Sequence, residues 1–555
     1  MLAMSFGYGR IITLGGGGLA MKILKFAKVT ALVGVSALVG ASALAAQLAV
    51  AAPVKTEGGL VEGKAGDGMM IYKGVPFGAS TAGEMRFKPP APAKPWTGVK
   101  QTTEFAPACM QSGAPIPALG IPAQPVSEDC LYLNIWTPAT SADEKLPVMV
   151  WIYGGGFTLG STSWALYDGA NLAKKGVIVV SIAYRVGPFG FLAHPALSAE
   201  SPNHVSGNYG LLDQIAGLKW VKNNIAAFGG DPNRVTIFGE SAGGISVSML
   251  AASPLAKGLF AGAISESGGS FGPTGDRSVA GENVQILSSA EKDGAAFAEK
   301  LGAKSAADLR KLPAADIQKA SAGQPGISWP VADGYVIPGD QYKLYLAGRY
   351  NDVPVLIGTN DDEGALFVPA ANAADFTKST EERYGPYAKS ILKVYPATDD
   401  KVALQSARDL ARDTIFAWHT WAWAQLQAKT GKSKVFLYYF DHKPPEVPNS
   451  PMKSRSASHG AEMAYVFQNL AGPTPYTEQD HAVSEAMATY WTNFAKTGDP
   501  NGPGVPEWPA FTGAKPVLMH VKDKPMAGPV PNLPQLQAVD AYMAWRRSQE
   551  DAAKP

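Results

Sequence analysis

Cysteine is nearly absent: the 555 residues contain two, Cys109 and Cys130, which leaves room for one bridge and no more. Charge is also scarce, at 17%, and balanced, with 48 basic against 47 acidic residues and no run of like charge that stands out. That excludes an electrostatic footprint for nucleic acid or an anionic membrane, and favours a small or neutral substrate over a polyanion. No N-x-[ST] sequon occurs, which removes one sign of a glycosylated eukaryotic secretory protein. After residue 52 there is no internal repeat, no low-complexity tract and no Pro/Gly/Ser linker long enough to separate two bodies, so residues 52–555 read as one domain. What is abundant is apolar surface: 46% hydrophobic and 10% aromatic residues supply a substantial core and exclude a disordered chain.

Residues 1–51 read as a leader. From Met21 the chain runs MKILKFAK, then VTALVGVSALVGASALA, then small residues ending at Ala51. A basic n-region, an apolar h-region and a small-residue cleavage signal in that order mark a cleavable secretory signal, and Met21 is the expected start. The Ala/Gly/Ser-rich core followed by a cleavage signal argues against a retained membrane anchor. No cysteine lies there to take a lipid. The expected location is secreted or periplasmic, where Cys109 and Cys130 can pair.

Short β-branched runs read as buried strands: 148–153, 177–184, 235–239, 262–267, 353–358 and 435–440. Between the second and third lies a helix with Leu211, Leu212, Ile215, Leu218, Val221 and Ile225 at helical spacing, stopped by glycines. Strand, helix, strand implies a mostly parallel central sheet flanked by helices, an α/β class. The Ala-, Lys- and Leu-rich stretches near 285–325 and 375–430 are expected to be helical insertions above the sheet.

The sharpest chemical signal is VTIFGESAGG, residues 235–244. A G-x-S-x-G pentapeptide between a buried strand and a helix is the context of a nucleophile elbow, with Ser241 exposed on a strained turn. A serine hydroxyl is a weak nucleophile, so it needs a base and a group that orients the base. Of the histidines after Ser241, His459 in SASHGAEMAYVF sits on a loop beside a glycine, whereas His419 lies in an aromatic helical stretch suited to packing. The acid is expected in GTNDDEG, at the carboxyl end of a strand, but Asp361, Asp362 and Glu363 are equivalent on this reasoning. WIYGGGF, residues 151–157, offers unshielded backbone N–H groups; Gly155 and Gly156, with the amide of Ala242, can bind a developing oxyanion.

With these motifs, and with YKGVPFG, MRFKPP, SEDCLYLNIW, GNYGLLDQIAGLKWVKNNIAAFGGDP and WPVADG in order, the sequence resembles the type-B carboxylesterase family, which includes cholinesterases and bacterial para-nitrobenzyl esterases. The resemblance covers nearly the whole chain after the leader. It implies an α/β-hydrolase fold with helical insertions over the active site, and hydrolysis of small-molecule carboxylic esters through an acyl-enzyme. It assigns Ser241, Glu363 and His459 as a triad and Gly155, Gly156 and Ala242 as oxyanion donors. Glu240 and Ser267 would support them, Cys109–Cys130 would be a disulfide and Arg86–Glu128 an ion pair, with no cofactor or metal needed. Phe157, Trp164, Phe271, Trp329 and Phe367 are candidate pocket walls.

The chain departs from cholinesterases in its Cys109–Cys130 loop, which contains no aromatic residue to hold a quaternary ammonium, so a choline ester is not expected. Two alternatives accompany this reading: a specialised hydrolase of bulky phthalate, plant or fungal esters or of carbamates, and a non-catalytic adhesion-type relative. The second predicts a missing triad residue, and none is missing. Sequence does not specify the oligomeric state.

Overall fold

A computed structural model describes residues 52–115, 121–276, 282, 284–446, 454–472 and 474–552; the leader read at residues 1–51 lies outside them. Eleven strands form the central sheet. In chain order they are β1 (Lys64–Gly66), β2 (Met69–Pro76), β3 (Tyr132–Thr137), β4 (Leu146–Ile152), β5 (Ile178–Ile182), β6 (Gly230–Glu240), β7 (Gly262–Glu266), β8 (Val355–Asn360), β9 (Val435–Phe440), β10 (Val517–Val521) and β11 (Met526–Pro529). Their spatial order is β11-β10-β9-β8-β7-β6-β4-β5-β3-β2-β1. From β5 to β10 every neighbouring pair is parallel. Antiparallel strands close both edges.

The parallel strands follow from their composition. Val148–Ile152, Ile178–Val180 and Leu356–Ile357 are wholly buried, as a sheet covered by helices on both faces requires. The helix predicted between the second and third strands is α1 (Tyr209–Asn224). It tightens into a short 3₁₀ turn and stops at Gly229, whose φ of 84° suits a residue without a Cβ. The stretch 285–325 carries helices Leu287–Lys300, Ala306–Lys311 and Ala314–Ala320. The stretch 375–430 lies in helices from Ala373 to Thr430.

Cys109 and Cys130 are joined as a disulfide, both fully buried. Two residues before Cys130, Glu128 takes a bidentate pair from Arg86, Nε–Oε1 and Nη2–Oε2 each 2.6 Å. The remaining arm of Arg86 donates to the carbonyls of Leu309, Arg310 and Leu312 at the end of helix Ala306–Lys311. The disulfide loop and the first insertion are thereby tied together. Closing a loop of 21 residues stabilises the fold by about 3 kcal/mol in the chain-entropy model. The Cys109→Ser/Cys130→Ser double variant is therefore expected to unfold at a clearly lower denaturant midpoint. An unchanged midpoint would mean that the bridge contributes nothing.

Candidate active site

The carboxyl ends of β6, β7 and β8 deliver the chemistry, as open α/β sheets do. Strand β6 ends at Glu240, and helix α2 (Ala242–Ala252) begins immediately after Ser241. Ser241 alone absorbs the reversal, with φ 56° and ψ −124°, a conformation costly for a residue with a Cβ. Its amide donates to the Glu266 carbonyl at 2.9 Å and its carbonyl accepts from Ile245 at 2.8 Å, so the turn is held from both sides. The flanking glycines are sterically required. A Cβ on Gly239 would lie 2.6 Å from the Ile152 carbonyl oxygen, and one on Gly243 would lie 2.0 Å from the same atom.

The glycine loop after β4 presses against this turn. A Cβ on Gly154 would meet the Glu240 carbonyl oxygen at 2.6 Å and Ser241 Cβ at 3.0 Å. Gly155 and Gly156 have φ of 107° and 59°. Among the described residues, the N–H groups of Gly155, Gly156 and Ala242 donate to no backbone carbonyl. Ala242 follows Ser241 directly and Gly154 lies against its Cβ, so these amides are the candidates to receive an oxyanion.

His459 completes the geometry. Its Nε2 is 2.9 Å from Ser241 Oγ and its Nδ1 is 2.6 Å from Glu363 Oε2. The other carboxylate oxygen, Oε1, accepts from Ser267 Oγ at 2.5 Å and from the Asn360 amide at 2.7 Å. Ser267, itself at φ 49°, is anchored by its amide to the Gly358 carbonyl. The acid and histidine loops dock directly: the Asp362 amide donates to Ala457, and Asn360 Nδ2 donates to the Ser458 carbonyl. The two neighbouring carboxylates are engaged elsewhere. Asp361 accepts from Tyr439 and Arg455, and Asp362 from Ser454 and the Arg455 amide.

Electrostatics around the imidazole are one-sided. Glu240 Oε1 lies 3.2 Å from His459 Nε2, on the opposite side of the ring from Glu363. Burial pulls the imidazole down, but the carboxylates of Glu240 and Glu363 outweigh it and raise His459 to about 9. Burial raises Glu240 to about 7, against the pull of His459. Two further buried acids stand behind them. Glu266 is pushed up to about 8 by burial and accepts from Trp491 Nε1 at 2.8 Å. Glu462 is raised well above the carboxylate range by burial and by its acidic neighbours, and accepts from Asn360 Nδ2.

An imidazole takes a proton only when neutral, so a reaction that uses His459 as its base should speed up with pH as His459 loses its proton. Because its affinity for that proton is raised, the acid limb of kcat/KM is expected to have its midpoint above the ordinary 6.5 of histidine. Glu240→Gln removes one of the two carboxylates responsible, so the limb should move to lower pH. A pH–rate profile that stays in place would show that Glu240 does not act on the imidazole.

The candidate pocket residues divide. Phe367 is 44% exposed and its ring lies 5.2 Å from that of His459. Phe157, at the end of the glycine loop, packs edge-on against Trp329 at 4.9 Å. Trp164 stacks on Tyr167 at 5.6 Å. Phe271 is fully buried, with Tyr345 and Trp423 as its ring partners. His419 accepts from the Phe271 amide in the core, and His442 and His520 pair with aspartates away from Ser241. Sequence reasoning missed Glu266, Phe416 and Glu462. An acid at the end of the wholly buried strand GAISE, and another three residues past His459, were the available signals for the two glutamates. Among the described residues no group of histidine, cysteine or acidic side chains is arranged to hold a metal, and no helix is long and apolar enough to cross a membrane.

The family model described as the carboxylesterase family matches residues 51–539. Fumonisin B1 esterase of Sphingopyxis macrogoltabida is 37% identical over 473 residues, covering 82% of this chain and 84% of its own. Para-nitrobenzyl esterase of Bacillus subtilis is 38% identical over 471 residues, covering 82% and 92%. Among solved structures, a PNB esterase superposes with a TM-score of 0.75 at 34% identity, over 88% of this chain and 99% of the other. A Geobacillus stearothermophilus carboxylesterase gives 0.75 at 33% identity, with the same coverage.

Proposed function

This chain belongs to the carboxylesterase family, has the α/β-hydrolase fold and is a carboxylic ester hydrolase, and on that premise we propose that Ser241, His459 and Glu363 are its catalytic triad. The observation that carries the assignment is the imidazole of His459, hydrogen-bonded at once to Ser241 Oγ and Glu363. Ser241 Oγ attacks the ester carbonyl while His459 Nε2 takes its proton, and Glu363 holds the imidazole in the required tautomer. The carbonyl oxygen, now an oxyanion, is bound by the amides of Gly155, Gly156 and Ala242. His459 returns the proton to the departing alkoxide, leaving an acyl-serine. Water, deprotonated by the same imidazole, then releases the acid and restores Ser241.

The substrates in this reading are esters with an aryl or branched apolar group. The rings of Phe367, Phe157 and Trp329 support it, as does the absence of any aromatic residue from the disulfide loop. Leu366 and Phe367, 47% and 44% exposed, leave an apolar lip beside His459 and favour as a second reading a bulky ester that extends beyond the pocket. We also propose export, supported by the leader pattern and by the disulfide; sequencing the amino terminus of the exported protein checks it. Hydrolysis of aryl acetates, long-chain triglycerides, bulky diesters and a choline ester tests the substrate reading. Short-chain aryl acetates should turn over fastest, or the diesters if the second reading holds. A preference for the choline ester would contradict both.

A further inference from the structure

His459 is held by hydrogen bonds at Nδ1 and Nε2, and both lie in the plane of the ring. They fix two points and leave the imidazole free to rock about the line joining its nitrogens. Something must face the flat of the ring if the lone pair of Nε2 is to stay aimed at Ser241 Oγ, because small misalignments of reacting groups are costly in rate.

The ring of Phe416 lies there. It stacks on the imidazole with centroids 4.6 Å apart and planes inclined by 19°, while Phe367 packs obliquely at 5.2 Å and 59°. Phe416 is 2% exposed, so it offers little surface to solvent. The backbone that carries it is irregular. Helix α3 (Asp400–Arg412) and helix α4 (Trp418–Thr430) are joined without a break by a π-helical turn, Asp413–Ala417, the kind of helical irregularity that concentrates at functional sites.

That turn is pinned by polar contacts that also reach the acid loop. Asp413 accepts from Arg412 Nε at 2.7 Å, from Tyr395 OH at 2.7 Å and from Asn532 Nδ2 at 2.6 Å. The same guanidinium, through Nη1, donates to the Asp361 carbonyl at 3.0 Å, two residues before Glu363. One buried arginine therefore sets both the turn bearing Phe416 and the loop bearing the triad acid.

We infer that Phe416, presented by the π-helical turn, is a positioning residue that clamps the flat face of His459. It acts in two ways. The stacked ring suppresses rocking of the base, and its π face stabilises the imidazolium that forms once Ser241 has given up its proton. The charged groups facing the imidazole are Glu240 from the nucleophile turn and Glu363 from the acid loop; the helical insertion contributes an uncharged ring.

The inference rests on His459 being the base, and two substitutions separate the claims. Phe416→Leu keeps apolar bulk and removes the flat face. Normalised to sites titrated with a fluorophosphonate, its kcat for a short-chain aryl ester should fall about tenfold with KM within about twofold of wild type. Its acid limb should move to lower pH, because the imidazolium has lost its π neighbour. Phe416→Tyr, which restores a flat ring, should recover most of the rate and the wild-type limb. If the leucine variant does not fold, Phe416→Met supplies the same comparison. A raised KM with unchanged kcat would make Phe416 a pocket wall only, and equal losses in the leucine and tyrosine variants would make it a packing residue only; either overturns the inference. His459→Ala is the control: full activity there would remove the base itself, whereas an inactive His459→Ala beside an unimpaired Phe416→Leu overturns the clamp alone.

Discussion

Ser241→Ala is expected to lower kcat/KM for a short-chain aryl ester by at least about 10⁴-fold while leaving thermal unfolding close to wild type. The size follows from the loss of the only atom that forms the acyl bond: the residual rate is what the oxyanion donors and the binding pocket give to attack by water. Folding should survive because the hydroxyl contributes one hydrogen bond, to His459, and the strained turn is held by backbone bonds to Glu266 and Ile245. Relief of side-chain strain is not expected either, since alanine keeps the Cβ that makes φ 56° costly. Turnover within about tenfold of wild type by the purified variant would refute the assignment.

Glu363→Gln should be the second most damaging change, at about 10³- to 10⁴-fold in kcat/KM. Glutamine matches the shape of the carboxylate but removes the charge that stabilises the imidazolium, and it permits the wrong tautomer of His459. Its effect has a second signature. Glu363 is one of the two carboxylates that raise the imidazole's proton affinity, so whatever activity remains should show an acid limb at lower pH than wild type. Asp361→Asn is the matched comparison, because that side chain faces Tyr439 and Arg455 instead of the base, and it should cost far less in kcat/KM. Equal losses in the two variants would mean that the acid has been misassigned.

Much of this arrangement is legible in sequence because its local causes are local. A fully buried parallel strand must be a short run of β-branched and aromatic residues, and 148–153, 177–184, 235–239, 262–267, 353–358 and 435–440 coincide with strands of the sheet to within a few residues. The elbow is legible from its local G-x-S-x-G spacing, although the clashes that demand glycine at 239 and 243 come largely from Ile152 at the end of the neighbouring strand β4.

What was not legible depends on partners distant in sequence. Strands β1, β2 and β11 mix lysine, glycine or proline with apolar residues, and only their antiparallel partners make them strands. Asp361, Asp362 and Glu363 are indistinguishable in GTNDDEG by local chemistry alone. Folding separates them: Tyr439 and Arg455 claim the first, Ser454 and the Arg455 amide the second, and His459 the third. Phe416 is one aromatic residue in an aromatic helical stretch, and nothing in DTIFAWHTWAW marks it as the ring that meets an imidazole 43 positions away.

In the proposed mechanism Ser241 is activated by His459. Mass spectrometry of the protein after brief exposure to a fluorophosphonate tests this directly. A single adduct is expected on the peptide carrying Ser241, formed rapidly in the wild type and lost or greatly slowed in His459→Ala. An adduct mapped to a different residue, or labelling of Ser241 at an undiminished rate without the imidazole, would contradict it.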